Sequence, residues 1–167
     1  MKMKFCGAVL ALVTATASYA QSVNKGDQQI LKELAQANMA EVAAGEIALQ
    51  KSESADVKKF AQQMVDDHTK GLQAVQNVAR AKNVTLPMEP DARHKQMAEH
   101  LNTLSGAAFD KAYLADAGVK DHKAAHAKVA EAQKKATDPD VKALAAELQP
   151  TIDKHLQTVQ GLASGKQ

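Results

Sequence analysis

From residue 27 onward, apolar residues recur three and four apart along nearly the whole chain, the spacing that lays a single stripe along an α-helix. Ile30, Leu31, Leu34, Asn38, Val42, Gly45 and Leu49 mark a first helix over about 27–51, with Asn24 or Asp27 able to cap it. Ser52-Glu53-Ser54 interrupts the pattern, and Ser54 or Asp56 can cap again. Val57, Phe60, Ala61, Met64, His68, Gly71, Leu72, Val75 and Ala79 then predict a second helix over about 55–82, ~40 Å long at 1.5 Å per residue. Pro87 and Pro90 stop any helix between 83 and 90, through their missing amide hydrogens and the restriction on the residues before them. A short amphipathic helix follows over about 92–104, with Met97, Leu101 and Leu104 inward, and Ser105-Gly106 ends it.

The third long stretch, about 107–136, carries two competing stripes. Ala112, Ala115, Val119, His122, His126 and Val129 share one face, while Phe109, Tyr113 and Ala117 share another, and the rotation of this helix stays open. Thr137-Asp138-Pro139 caps a fourth helix over about 139–163, with proline at a tolerated first-turn position. Its stripe is Val141, Leu144, Ala145, Leu148, Ile152, His155, Leu156, Val159 and Leu162; Pro150 falls inside it, frees the carbonyl of Ala146 and predicts a kink.

The turn around Asp56-Val57-Lys58 is repeated 84 residues later at Asp140-Val141-Lys142. Each copy lies between two long helices, so the chain reads as two helical hairpins. The fold class is therefore all-α: a four-helix bundle made of two hairpins, with a short extra helix in a long connection between its second and third helices. Such a connection suits a bundle with one crossover. Burying a Leu, Met or Phe is worth roughly 1.5–3 kcal/mol, so four such stripes supply an ordinary core without cofactor or disulfide.

Composition agrees with helix and adds a compartment. Aromatic residues make up 3% of the chain and Trp is absent, which leaves little material for strands. Lys2 and Lys4, the apolar run from Phe5 to Val13, and Ser18-Tyr19-Ala20 before Gln21 predict a signal peptide over 1–20 and a single domain over 21–167. The apolar run is too short to span a bilayer, so the mature chain is expected to have no transmembrane span. Cleavage would remove the sole cysteine, Cys6, and so exclude disulfides, thiolate nucleophiles and Cys-based metal sites in an exported, oxidising compartment. It would also leave 19 basic against 19 acidic residues. That balance gives no electrostatic case for nucleic acid or an anionic membrane surface.

The candidate chemistry lies at mid-helix. His68 stands 12 residues after Asp56 and His155 stands 15 after Asp140; His126 and His122 stand 14 and 18 before Asp140. On the first helix Glu46 and Glu41 stand 10 and 15 before Asp56. All fall within about two turns of one depth. Histidines from three helices at one depth, with a carboxylate from the fourth, are what a bundle uses to hold a metal. Asp67 and Asp121 are placed to orient the rings. The competing reading is a set of core histidines that only fix packing. Carboxylate-bridged di-iron is disfavoured because no Glu-x-x-His occurs. His94 and His100, on the short helix, are expected to be solvated. Met39, Met64, Met88 and Met97 are too dispersed for a copper thioether box and are expected to fill the core. No glycine-rich phosphate loop, serine elbow or cysteine nucleophile is legible, so the pattern does not point to an enzyme.

Met64-Val65-Asp66-Asp67-His68, Leu86-Pro87, Phe109-Asp110-Lys111-Ala112-Tyr113, Val119-Lys120-Asp121-His122, Gln149-Pro150-Thr151 and His155-Leu156 together resemble a family of exported bacterial helical proteins. Its members are labelled outer membrane proteins, have no known function and carry a ferritin-like four-helix fold. The resemblance covers about 27–162 and maps the family's recurrent histidines onto His68, His122 and His155. Two departures stand out: Gly118-Val119 replaces a Met-Val pair, and the spacing from Tyr113 to the Asp-His pair is one residue longer. The leading expectation is a periplasmic bundle holding zinc or copper through core histidines, in an envelope-stress or metal-handling role, with outer-membrane association possible. The other is a non-catalytic structural protein meeting an envelope partner or a second copy of itself.

Overall fold

The computed structural model describes residues 23–165; the expected signal peptide lies outside them. The described residues contain helices and no strand. Helix α1 spans Lys25–Lys51, capped by Asn24 Oδ1 accepting from the Asp27 amide at 2.8 Å. Helix α2 spans Ala55–Ala81 behind a Ser54 cap, and α3 spans Ala92–Thr103 behind an Asp91 cap. Then follow α4 (Gly106–Tyr113), a π-helical segment (Leu114–Lys120) and α5 (Asp121–Lys135), which together form the third long rod. Helix α6 spans Pro139–Ala163 behind an Asp138 cap and runs on through Pro150, which is exposed. No helix among the described residues is long and apolar enough to cross a membrane.

Contacts at the two ends fix the path. Lys82, just past α2, pairs with Asp138 and Asp140 at the start of α6. At the same end the buried Asp27 carboxylate, on the first turn of α1, accepts from Thr137 N, Thr137 Oγ1 and Asp138 N at 2.7–3.1 Å. At the other end Lys51 Nζ, closing α1, donates to the carbonyls of Asn102 and Leu104 at 2.7 and 3.0 Å. The segment from 83 to 105 therefore carries the chain the length of the bundle, and α2 and α5 run parallel. Val84 and Leu86 pack on the core at the first end, and Met97, Leu101 and Leu104 on the core at the second. Met88 is the exception among the methionines: in the Pro-flanked turn it is 92% exposed.

The interior divides into two apolar clusters. One gathers Leu31, Leu34, Val75, Val129, Val141 and Leu144; the other gathers Val57, Phe60, Met64, Leu101, Phe109 and Tyr113. In every rod the unusual residues fall between them: Asn38 and Glu41 on α1, His68 on α2, His122 on α5 and His155 on α6.

The π-helical segment explains why the third helix carries two stripes. Phe109, Tyr113 and Ala117 are buried, as one stripe has it, and so are His122 and Val129 from the other, while Ala115 is exposed. An α-helix cannot keep both sets on one face, because Ala117 and His122 are five residues apart. One wide i→i+5 turn brings them into phase and absorbs the additional residue. Gly118 in that turn leaves room for α6: a Cβ there would lie 2.3 Å from Val159 Cγ2.

Candidate metal centre

His68, His122 and His155 meet in this belt. One ring nitrogen from each lies within 4.8 Å of the others, and the ring centroids are 5.2–5.4 Å apart. All three side chains are buried, His155 completely.

Hydrogen bonds decide which nitrogens are free. His122 Nδ1 points at the carbonyls of Gly118 and Ala117, at 2.9 and 3.2 Å, so it carries the proton and Nε2 is bare. These carbonyls lie in the π-helical segment, the stretch that rotates His122 inward. His68 Nδ1 lies 3.0 Å from Asn38 Oδ1, while Asn38 Nδ2 donates to the Leu34 carbonyl at 2.7 Å. That second bond fixes the amide with its oxygen toward His68, which makes His68 Nδ1 a donor and leaves its Nε2 bare. His155 donates from Nε2 to Asp67 Oδ2 at 3.0 Å, and its Nδ1 is buried with no hydrogen-bond partner. Three imidazoles therefore each hold one proton against an outer acceptor and keep one lone pair over.

The bare Nε2 atoms of His68 and His122 are 3.4 Å apart. Two buried lone pairs at that distance repel unless a positive species lies between them. A proton shared by them would need the other His68 tautomer, turning its Nδ1 lone pair toward Asn38 Oδ1. Flipping the amide to meet it would then sever the bond to Leu34. A metal requires no such rearrangement, since the edge of a tetrahedron with bonds of about 2.0–2.1 Å to nitrogen is about 3.3–3.4 Å.

The protonation states agree. Burial holds His68 well below the ordinary imidazole pKa, reinforced by His122 and His155. Burial, with His155, brings His122 down to about 4. Burial also lowers His155, against the opposing pull of Asp67. Near neutral pH all three are the uncharged ligand form. Burial pushes the Asp67 carboxyl up, but the hydrogen bond from His155 and the bond and charge of the nearby Lys70 more than offset it, leaving an ionised acceptor.

Other candidates lie elsewhere. Glu46 is exposed, so the carboxyl that α1 sends inward is Glu41, 3.7 Å from His122 Nδ1. Glu41 was legible as Asn38 plus three, the phase of the buried stripe, which Glu46 misses. Burial, with Asp121 beside it, raises the Glu41 pKa well above the ordinary carboxylate range, against Arg93. His126 faces outward and pairs with Asp153 at 2.6 Å. Asp121 orients no ring of the triad; its Oδ1 accepts from Arg93 at 2.7 Å and its Oδ2 lies 3.5 Å from His94 Nε2. His94 is buried rather than solvated, with Nδ1 2.9 Å from Asp91 Oδ2, and Arg93 and His94 strap α3 to α5. The spacing of His94, Met97 and Leu101 on one face was its signal. His100 is exposed. Asn38 went unremarked as an orienting group, although a lone amide on an apolar stripe marks such a role.

An all-α bundle closed around a neutral three-histidine belt is thus the class that fold and site define. The chain belongs to a family described as a domain of unknown function, DUF4142, whose model matches residues 12–162. A search of curated proteins finds no match. Among solved structures, the chain is similar to a DUF305 fragment from Deinococcus radiodurans, at 15% identity over 86% of this chain and 98% of that one, with a TM-score of 0.75. It is also similar to CopM in a Cu(II)-bound form, at 17% identity over 83% and 96% of the two chains, TM-score 0.69. The Cu(I)-bound form of CopM gives 15% identity, the same coverage and a TM-score of 0.68. At these identities the likeness is one of fold.

Proposed function

We propose that this protein binds one transition-metal ion, copper or zinc, through His68 Nε2, His122 Nε2 and His155 Nδ1, and serves metal handling in the bacterial cell envelope. The observation that carries the reading is the pair of bare Nε2 atoms 3.4 Å apart, each held in that tautomer by an acceptor behind its ring. The two copper-bound forms of CopM add that a bundle of this shape accommodates copper in both oxidation states. Three neutral imidazoles suit either metal, and the absence of Glu-x-x-His argues against di-iron. Residues 1–20 have the form of a secretory leader, which supports a periplasmic location; an outer-membrane association would then run through a protein partner or self-assembly.

Metal analysis of the purified protein and competitive titration with zinc and Cu(I) at pH 7.5 test the reading. The expected result is one equivalent bound far more tightly than millimolar, lost in His68→Ala and weakening only as the pH falls well below the ordinary imidazole range, toward about 4, where His122 takes up its proton. No binding tighter than millimolar would overturn it. A second reading, core histidines that only specify packing, predicts that outcome together with an unchanged fold.

A further inference from the structure

A cavity of about 560 Å³ opens beside the triad, between α1, α2, α5, α6 and the strap formed by α3. Its size falls within the usual range of small-molecule sites, about 300–1,000 Å³. Leu34, Ala37, Leu148 and Ile152 give part of its lining an apolar surface. Around it, carboxylates outnumber Lys and Arg side chains six to four. Most of these charges are matched: Lys70 pairs with Asp67, Arg93 with Asp121 Oδ1, and Lys128 with Glu33.

Two acceptors in the wall are not matched. Glu41 is 6% exposed, lines the cavity and makes no hydrogen bond among the described residues; its contact with His122 Nδ1 meets a nitrogen whose proton is already given to backbone carbonyls. Asp121 Oδ2, in a side chain 5% exposed, is likewise buried without a hydrogen-bond partner. A buried carboxyl without a partner is costly, so what the site lacks is a donor, preferably a cationic one. The apolar residues in the same lining disfavour a hydrated metal ion and favour a carbon skeleton. An ammonium group has three donors and no acceptor, which suits the Glu41 carboxyl together with the second oxygen of Asp121.

We propose that this cavity binds a small organic amine, with its ammonium group on Glu41 and Asp121 and its apolar body against Leu34, Ala37, Leu148 and Ile152. The cavity meets the triad at His68, and its Glu41 stands 3.7 Å from the already donated Nδ1 of His122. The site stands whether or not the triad holds a metal.

Calorimetry and ligand-observed NMR on the chelator-treated full chain test this with phenethylamine, 2-phenylethanol and 3-phenylpropanoate, which share a body and differ in head group. Phenethylamine is expected to bind at least about tenfold more tightly than the alcohol, and the carboxylate not at all. Glu41→Gln should weaken the amine by about tenfold or more while leaving the alcohol unchanged, which also shows that the variant is folded. Ala74→Phe, filling the cavity from α2, should exclude amine and alcohol together. Equal binding of amine and alcohol, indifference to Glu41→Gln, no binding of any probe, or displacement of the amine by calcium alone would each overturn the proposal.

Discussion

Asn38→Ala removes the one group that dictates which nitrogen of His68 carries its proton. In the native protein the Asn38 amide bridges the Leu34 carbonyl at 2.7 Å and His68 Nδ1 at 3.0 Å. Without it, a buried imidazole N–H loses its acceptor, and a buried unsatisfied donor costs about 1–3 kcal/mol. The metal-free variant is expected to lose that much in urea denaturation. Metal binding should suffer separately, because His68 is then free to turn or to carry its proton on Nε2. Loss of such a supporting bond typically weakens a site by about 10–100-fold. Asn38→Asp provides the control: it keeps the acceptor for Nδ1, gives up only the bond to Leu34, and should hold affinity within a few-fold of native. If Asn38→Ala bound zinc as tightly as the native chain while Asn38→Asp did not, the orienting role assigned to the amide would be wrong.

Other outcomes follow from the same geometry. Because His122 titrates near 4 in the fold and near 6.5 when unfolded, the unfolded chain binds the additional proton between those values. Metal-free stability should therefore fall by about 3 kcal/mol from this group as pH drops from 7 to 4. Glu41 acts in the opposite sense, since its raised pKa makes protonation favour the fold, so the urea series is best run in Glu41→Gln; a flat profile there would contradict neutral buried rings. Asp27→Ala breaks three hydrogen bonds that tie α1 to the turn before α6 and should cost at least about 3 kcal/mol, read from the same denaturation curves. A loss below 1 kcal/mol would show that the tie is dispensable. His126→Ala and Glu46→Ala should leave metal stoichiometry and affinity unchanged, and a loss in either would move the site toward the outer face of the bundle.

Helix positions and caps were legible because capping and periodicity are local. The expected spans 27–51, 55–82, 92–104 and 139–163 lie within two residues of Lys25–Lys51, Ala55–Ala81, Ala92–Thr103 and Pro139–Ala163, the last matching at both ends. Residue counts from the hairpin turns placed the three histidines at one depth, since depth depends only on helical rise. Rotation was harder. On the third helix one π turn changes phase in mid-course, which no constant period can reproduce, so two partial stripes looked like alternatives when each held in its own half. Glu46 shared the depth of the belt but not its phase. His94, expected to be solvated, is buried instead because of how α3 lies against the bundle, a long-range fact. The cavity likewise has no local signal: its wall draws on residues from Glu33 to Ile152.

Anomalous diffraction from crystals grown with one equivalent of zinc, measured at the zinc edge, is the most direct test of the central claim. The account predicts a single strong peak at mid-bundle, about 2.0–2.1 Å from His68 Nε2, His122 Nε2 and His155 Nδ1. A peak only at half-buried pairs such as His126 and Asp153, with none among the three buried rings, would contradict it.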